Sequence, residues 1–158
     1  MTKYSEQGFE DAIKKQYKKR PNNHVFKASM QYRGGIPDLY ISPRWIELKY
    51  FQIPKTLTEK LDYMIPVKLT EQQRNFLRKE QKAGGKAGWS MLVQYGDNRQ
   101  TTIVTCVCPE VEEIPLGVLL TGQGFVRDDT TNFNHAIGVH HSKGYDYGFE
   151  SIFKGYIP

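Results

Sequence analysis

The stretch from Arg33 to Phe51 reads RGGIPDLYISPRWIELKYF, and it decides the fold that we predict for the chain. Strand-forming residues flank Ser42-Pro43-Arg44, whose serine and proline favour a turn, so the stretch is predicted to form a β-hairpin. Side chains alternate between the two faces of a strand. One register of the hairpin therefore brings Asp38, Glu47 and Lys49 together on one face and sends aliphatic side chains to a core on the other.

The segments around the hairpin predict an α/β fold in which helices flank a mixed central β-sheet. The predicted elements are a helix over residues 5–19, a strand within 22–31, the hairpin, a helix over 70–83, and strands over 89–95 and 101–107. Thr70 and Gln73 have the spacing of a capping box, in which each side chain satisfies the backbone donor of the other residue. The helix after Thr70 is therefore the one with the clearest start.

Two further segments have no single interpretation. Prolines at 54 and 66 bracket much of the stretch from Gln52 to Lys68, which is predicted to be either a short helix or a mobile loop able to close over a substrate. The stretch after Pro109 shows no clear period, but its aromatic residues offer too much apolar area for a disordered tail. We therefore expect a core over residues 1–108 and an irregular but ordered extension over 109–158, packed on the core as a dimer or DNA-contact element.

The net charge of the chain changes sign between residues 1–108 and residues 109–158. The 158 residues suit one domain and carry a formal net charge of +5. Residues 1–108 contain 19 basic and 10 acidic side chains, a net charge of +9, whereas residues 109–158 contain 3 basic and 7 acidic ones, a net charge of −4. A basic body favours a polyanionic partner such as nucleic acid, because Lys and Arg neutralise phosphates. The alternative from charge alone is a merely soluble basic protein.

The cysteines and the N-terminus bear on the compartment. We expect Cys106 and Cys108 to face opposite ways on a predicted strand, which would argue against a mutual disulfide or a local zinc site and favours buried free thiols in a reducing compartment. The N-terminus lacks the apolar core of a signal peptide, and no run approaches the ~18 apolar residues of a membrane span. We expect a cytoplasmic protein, in the host cytoplasm if it is viral, without a membrane partner.

The acids of the hairpin suit metal-assisted hydrolysis of a phosphodiester. Mg²⁺ prefers oxygen ligands from one or two carboxylates together with waters and substrate phosphate, and Asp38 and Glu47 can provide the carboxylates for Mg²⁺ or Mn²⁺. The backbone carbonyl of Leu48 lies within reach of the same ion. Lys49 can hold the attacking water or hydroxide and neutralise the charge that grows on the phosphate.

These residues resemble a known signature. GIPDLYI followed by WIELK is similar to the motif of the PD-(D/E)XK nuclease superfamily, here at Pro37-Asp38 and Glu47-Leu48-Lys49. The helix that carries Thr70, Gln73 and Phe76 resembles that of the VRR-NUC branch and of the archaeal-type Holliday junction resolvases. The resemblance covers about residues 5–95. The insertion over 50–68 and the extension over 109–158 depart from it.

The resemblance implies a restriction-endonuclease-like core and a set of site residues. It implies a metal site at Asp38 and Glu47, a catalytic Lys49, a helix-one acid at Glu10 that could also reach the metal, and Gln73 beside the site. Taken without the resemblance, Glu10 is interpreted as an exposed first-turn acid paired with Lys14, and Gln73 as a helix cap only. The basic residues that we interpret as candidate DNA contacts are Lys14, Lys15, Lys18, Lys19, Arg33, Lys55, Lys68 and Arg74.

The predicted function is that of a metal-dependent DNA endonuclease. Relatives of this compact form are often homodimers that cut branched DNA, so the resemblance implies a homodimer acting on branched or structured DNA, such as a Holliday junction, in recombination or repair. One alternative is a sequence-specific restriction-type nuclease, although no helix-turn-helix or zinc finger is evident before residue 108. The other is a module on a nuclease scaffold that binds nucleic acid or protein without cutting.

Overall fold

The structure is a computed structural model of the chain, and it describes residues 4–18, 25–27, 37–41, 43–97, 100–120, 123–128, 133–143 and 157. Side chains are described over 4–17, 37–41, 43–97 and 100–120 and at 157. In chain order, the elements are α1 (Glu6–Lys18), β1 (Val25–Lys27), β2 (Leu39–Ile41), β3 (Arg44–Ile53), a 3-10 turn (Lys55–Leu57), β4 (Met64–Pro66), α2 (Glu71–Lys82), β5 (Lys86–Tyr95), β6 (Gln100–Cys106), β7 (Glu113–Pro115), α3 (Leu116–Leu120), β8 (Gln123–Asp128) and β9 (Phe133–Lys143).

The strands form one mixed sheet and one small sheet. The main sheet has seven strands in the order β1-β2-β3-β5-β6-β9-β8, and β4 pairs with β7 in a second sheet of two strands. The pairing of β3 with β5 is parallel, whereas β2 pairs with β3 and β6 with β9 in the antiparallel direction. A parallel pair requires a crossover connection, which here contains β4 and α2. The predicted α/β fold with a mixed central sheet and flanking helices is confirmed.

Helices cover both faces of the sheet because the strands send alternate residues to opposite sides. On one face, Phe9 and Ile13 of α1 pack against Ile46 and Leu48 of β3, and all four are fully buried. On the other face, Leu77 of α2 joins a second core cluster against the middle of the sheet. Odd-numbered residues of β3 therefore lie on the α2 face, and even-numbered ones lie on the α1 face.

The predicted helix ends are present. Ser5 Oγ accepts a hydrogen bond of 3.0 Å from the backbone N–H of Gly8, which caps α1. At the start of α2, Gln73 N donates to Thr70 Oγ1 (3.2 Å) and Thr70 N donates to Gln73 Oε1 (2.9 Å), so the capping box is complete. Gly84 follows the helix at φ 86°, the left-handed conformation that ends many helices.

The stretch from Gln52 to Lys68 contains the 3-10 turn and β4, and it is tied to the part of the chain after Pro109. Ile65 of β4 pairs with Ile114 of β7, and both side chains are fully buried. A loop free to close over a substrate would lack these cross-strand contacts. The pairing could not be read from the local sequence because the partner strand lies about fifty residues away along the chain.

The extension expected to be irregular contains regular strands. β9 pairs with β6 over Gln100–Thr105, and β8 pairs with β9, so both belong to the main sheet. The expectation of irregular structure is therefore wrong for these segments, because the neighbouring edge of β6 supplies backbone partners where the local sequence shows no period. The sheet continues across residue 108, and the division into a core and an extension remains a prediction.

The C-terminal end returns to the hairpin. Ile157 is fully buried in the α1-face cluster, and its carbonyl oxygen accepts a hydrogen bond of 2.5 Å from Arg44 Nε. Its side chain fills the space beside Gly88, where a Cβ would lie 2.7 Å from Ile157 Cδ1. Glycine at position 88 therefore makes room for the Ile157 side chain.

Two findings concern the cysteines and the helices. Cys106 and Cys108 are buried free thiols, as predicted. They join one core cluster, so the expectation that they face opposite ways is wrong, because residues two apart along an extended chain share a face. Across the described ranges, no helix is both long and apolar enough to cross a bilayer.

Candidate active site

The hairpin of β2 and β3 brings Asp38 and Glu47 together. Leu39 pairs with Ile46 in antiparallel register, so Asp38 lies opposite Glu47 and both side chains leave the same face. Asp38 Oδ2 accepts a hydrogen bond of 2.8 Å from the backbone N–H of Leu48. The Asp38 carboxyl group is also close enough to hydrogen-bond to Glu47 when one of the two carries a proton. The two acids thus converge, as the hairpin register predicts.

Glu47 is the most buried member of the pair. Its Oε1 atom accepts a hydrogen bond of 2.5 Å from Gln73 Nε2 and lies 3.0 Å from Lys49 Nζ. Its Oε2 atom is buried and receives no hydrogen bond from the described residues. Burial and the neighbouring Asp38 charge raise the pKa of Glu47 to about 8, against the lowering effect of Lys49. A positive charge at Oε2 would stabilise the ionised Glu47 carboxylate and so offset both the burial and the Asp38 charge that raise its pKa.

The pKa of Asp38 is raised as well. Burial is the main cause, and the backbone N–H of Leu48 and the charge of Lys49 counteract it. The Glu10 charge raises the pKa further. Two adjacent carboxyl groups therefore both resist ionisation, which is the electrostatic signature expected of a pair that shares a proton or a cation.

Among the residues that the structure describes, no strand pairs with this edge of β3 beyond the end of β2, and carboxylates take the place of a strand there. β2 pairs with β3 only as far as Ile46. Past that point, Leu48 N–H donates to Asp38, and the backbone N–H of Tyr50 hydrogen-bonds to Glu6. The N–H and C=O of one strand residue point to the same side, so the Leu48 carbonyl faces the side on which Asp38 lies. That placement suits the ligand role considered for this carbonyl.

Glu6 belongs to the same cluster, although the sequence analysis did not select it. Much of the residue faces solvent, but burial of its carboxyl group raises its pKa, with Lys49 lowering it and the charges of Asp38 and Glu10 raising it. The sequence feature that could have identified Glu6 is its position four residues before Glu10, which places both acids on one side of α1. Its approach to β3 depends on how α1 packs, which no local pattern reveals.

Glu10 is buried and ion-paired. The residue is 5 % exposed, and its Oε1 lies 2.7 Å from Lys14 Nζ. The interpretation of Glu10 as an exposed acid is wrong, whereas its pairing with Lys14 is confirmed. Because its charge raises the pKa of Asp38, Glu10 lies near enough to influence the acid pair.

Gln73 performs two roles with the two ends of one amide. Its Oε1 atom accepts the Thr70 N–H in the capping box, and its Nε2 atom donates to Glu47. The cap therefore orients the amide so that its donor end points at the acid. The interpretation of Gln73 as a cap only is wrong, because the side chain links α2 to the acid pair.

The donor set fits a hard divalent cation held in part by water. Asp38 and Glu47 provide carboxylate oxygens, and one of these, Glu47 Oε2, is buried without a donor among the described residues. Within those residues, no group of three or more His, Cys, Asp or Glu side chains is arranged to hold one ion. Two carboxylates with waters and a substrate phosphate are the usual Mg²⁺ set, whereas structural Zn²⁺ takes four protein ligands.

The candidate DNA-contact residues differ in their surroundings. Lys15 is exposed, and Lys68 is exposed with its Nζ 5.8 Å from the centre of the Phe51 ring. Lys55 is exposed and lies 2.9 Å from Asp97, while Lys14 pairs with Glu10. Arg74 is turned inward, with its Nε donating to the Pro109 carbonyl (3.0 Å) and its side chain 11 % exposed. The side chains of Lys18, Lys19 and Arg33 lie outside the described part of the chain.

Comparisons of the chain with protein-family models, with curated proteins and with solved structures found no match in any of the three. The acids, the lysine and the glutamine are therefore the features of this chain that bear on its function.

Proposed function

We propose that the chain is a metal-dependent DNA endonuclease that hydrolyses phosphodiester bonds. The observation that carries the proposal is the acid pair: Asp38 and Glu47 are adjacent, Glu47 is buried and Asp38 is partly buried, both have raised pKa values, and Glu47 Oε2 has no donor among the described residues. Burying two like charges without a cation is unfavourable. Together with Lys49 beside Glu47, the pair matches the PD-(D/E)XK pattern on which the resemblance is based.

The metal-binding residues in this proposal are Asp38 and Glu47, with the backbone carbonyl of Leu48. Glu6 and Glu10 lie close enough to influence the pair electrostatically and are candidates for water-mediated contacts. When bound, Mg²⁺ or Mn²⁺ would polarise the phosphate and lower the pKa of a bound water. A cation would also compensate the charges that the fold forces together.

The remaining side chains orient the reactants. In hydrolysis, the oxygen of one water bonds to phosphorus, one P–O ester bond breaks, and the leaving oxygen takes up a proton. The Lys49 ammonium group, 3.0 Å from Glu47 Oε1, is placed to hold the water and to neutralise charge on the phosphoryl oxygens. Gln73 holds Glu47 Oε1 in position from α2.

The proposed substrate is branched or otherwise structured DNA, and the proposed active form is a homodimer in the cytoplasm. The net charge of +9 on residues 1–108 supports a polyanionic substrate. The buried free thiols support a reducing compartment.

A cleavage assay tests the proposal. Wild-type protein is incubated with plasmid and with a synthetic four-way junction, in Mg²⁺ and in EDTA, and the products are resolved on a gel. We expect cleavage only with the metal. Asp38→Asn and Lys49→Ala should abolish cleavage while junction binding in EDTA is retained, and Glu6→Gln and Glu10→Gln should reduce it less.

Two variants are matched controls. Asp62→Asn and Lys86→Ala make the same chemical changes at exposed positions outside the site, and both should cut like wild type. Undiminished cleavage by Asp38→Asn or Lys49→Ala would refute the assignment. Binding without cleavage in every metal condition would instead favour a non-catalytic binding module, and cutting at one fixed sequence in linear duplex would favour a restriction-type nuclease.

A further inference from the structure

Three aromatic side chains form one partly exposed surface beside the acid pair. Tyr40 and Trp45 face each other across the hairpin with ring centroids 4.8 Å apart and planes at 51°. Phe76 of α2 meets the Trp45 ring edge-on, with centroids 5.3 Å apart and planes at 75°. Each of the three residues is only partly buried. We refer to Tyr40, Trp45 and Phe76 as the aromatic surface.

The strands place this surface directly beside the acids. Tyr40 is two residues after Asp38 on β2, and Trp45 is two residues before Glu47 on β3. Residues two apart on a strand share a face and lie about 6.7 Å from each other. The aromatic surface and the acid pair therefore form one continuous strip on the α2 face of the hairpin.

The packing of α2 explains why these rings keep exposed area. The helix packs against β5, and Leu77 is its fully buried residue. Phe76, the neighbour of Leu77, is only partly buried, and its ring contacts Trp45. Tyr40 lies on β2, one strand beyond β3, and so stands beside the helix. Trp45 packs partly on the α2-face core cluster, which holds its ring in place.

We propose that the aromatic surface stacks an unpaired base of the DNA substrate, so that the substrate has a single-stranded nucleotide next to the phosphate that is cut. The inference rests on the proposed nuclease function and specifies its substrate class. Exposed aromatic rings bind bases of single-stranded DNA through their π faces, with little dependence on sequence. In a duplex, neighbouring base pairs cover both faces of each DNA base, so that a protein ring cannot stack on it.

The proposal distinguishes between branched substrates. A flap or a splayed arm presents unpaired bases beside the branch point, whereas a fully paired four-way junction presents none without local melting. A flap or splayed arm is therefore the preferred substrate, and the four-way junction is a weaker one. A rigid aromatic pair also loses little conformational entropy when a base stacks on it.

Tryptophan fluorescence tests the inference without any cleavage. The chain has two tryptophans, and Trp89 is fully buried, so Trp45 is the one that a base can reach. Short oligo(dT) and a duplex of the same length are titrated into the protein in EDTA. We expect oligo(dT) to quench the Trp45 emission and to bind more tightly than the duplex. In Trp45→Leu, the remaining Trp89 emission should not respond.

Substitutions then locate the binding surface. Tyr40→Leu and Trp45→Leu should weaken oligo(dT) binding by about 5- to 150-fold, the range that stacking of roughly 1–3 kcal/mol per base gives. Tyr40→Phe and Trp45→Phe keep a ring and should bind within a few-fold of wild type, which also covers the case in which a leucine variant fails to fold. Tyr17→Leu is the control, since it removes a partly buried ring on the α1 face.

The outcomes separate this inference from the nuclease proposal. Unchanged oligo(dT) affinity in folded Tyr40→Leu, or equal binding of duplex without a change in Trp45 emission, would overturn the stacking inference even if the protein cuts DNA. Quenching and ring-dependent binding would support it even if no metal condition gave cleavage. In the cleavage assay, a splayed arm cut no faster than a fully paired junction would also count against it.

Discussion

Glu47 is a carboxyl group that the fold buries although burial disfavours its charge. It is 1 % exposed and lies beside Asp38, an acid whose pKa is also raised. The positive charge of Lys49 partly offsets the increase in the pKa of Glu47. Such a residue weakens a fold in its charged form and is retained where its charge has a use. At the scale of single residues, the acid pair therefore lowers stability in its charged form, which is consistent with the cation site that we propose there.

This burial predicts how the stability of the metal-free protein depends on pH. Folding raises the pKa of Glu47 from 4.5 to about 8, so the folded state holds the proton more tightly than the unfolded chain. The stabilisation from Glu47 is fully present below pH 4.5 and is lost as the pH rises to about 8. The free energy of unfolding, measured by denaturant titration in EDTA, should therefore fall across this window.

The Glu47→Gln variant distinguishes the contribution of Glu47 to this pH dependence from the contributions of other titrating groups. The variant and wild type should have similar stability below pH 4.5, and the variant should become the more stable of the two above about pH 8. Added Mg²⁺ should restore stability at high pH in wild type but not in the variant. Parallel stability curves for the two proteins would show that Glu47 is not the group responsible.

At the scale of elements, Gln73 couples the start of α2 to the middle of β3. The Gln73 amide accepts a hydrogen bond from the Thr70 N–H with its oxygen and donates one to Glu47 with its nitrogen. Only one orientation of the amide provides both hydrogen bonds. We predict that Gln73→Glu keeps the cap but destabilises the metal-free protein by roughly 2 kcal/mol above about pH 8, because a hydrogen bond to a charged group is replaced by repulsion. Thermal unfolding at high and low pH measures the difference.

The neighbouring glutamine provides the control for this prediction. Gln72→Glu introduces the same charge in the same helical turn at an exposed position and should change stability little. Cleavage should fall in Gln73→Glu and persist in Gln72→Glu. If Gln73→Glu retained full stability and activity, the amide would act as a cap alone and its contact with Glu47 would have no consequence.

At the scale of the whole molecule, both ends of the chain meet at the hairpin. α1 packs on the even-numbered residues of β3, and Ile157 closes the same core cluster beside Gly88. The hairpin that carries the acids is therefore supported from behind by the first helix and by the C-terminus. The end of the chain contributes to the core that holds the site.

This support predicts that the C-terminal end is required for stability. Ile157→Ala should lower the free energy of unfolding by about 2–5 kcal/mol, because the residue is fully buried and its removal leaves a cavity. Ile157→Val is the graded control, with an expected cost of about 0.5–1.5 kcal/mol. Denaturant unfolding measures both, and equal stability of wild type and Ile157→Ala would show that the C-terminus does not belong to the folding core.

Local sequence patterns are sufficient to predict the hairpin, the face shared by Asp38, Glu47 and Lys49, and the capped start of α2. Strand alternation and capping depend on residues only a few positions apart, so their geometry follows from backbone chirality and local hydrogen bonding. The tertiary structure alone decided that Glu6 reaches β3, that Gln73 contacts Glu47, and that β9 completes the main sheet. These contacts join segments distant along the chain, and their register follows from the packing of whole elements, which no local spacing encodes.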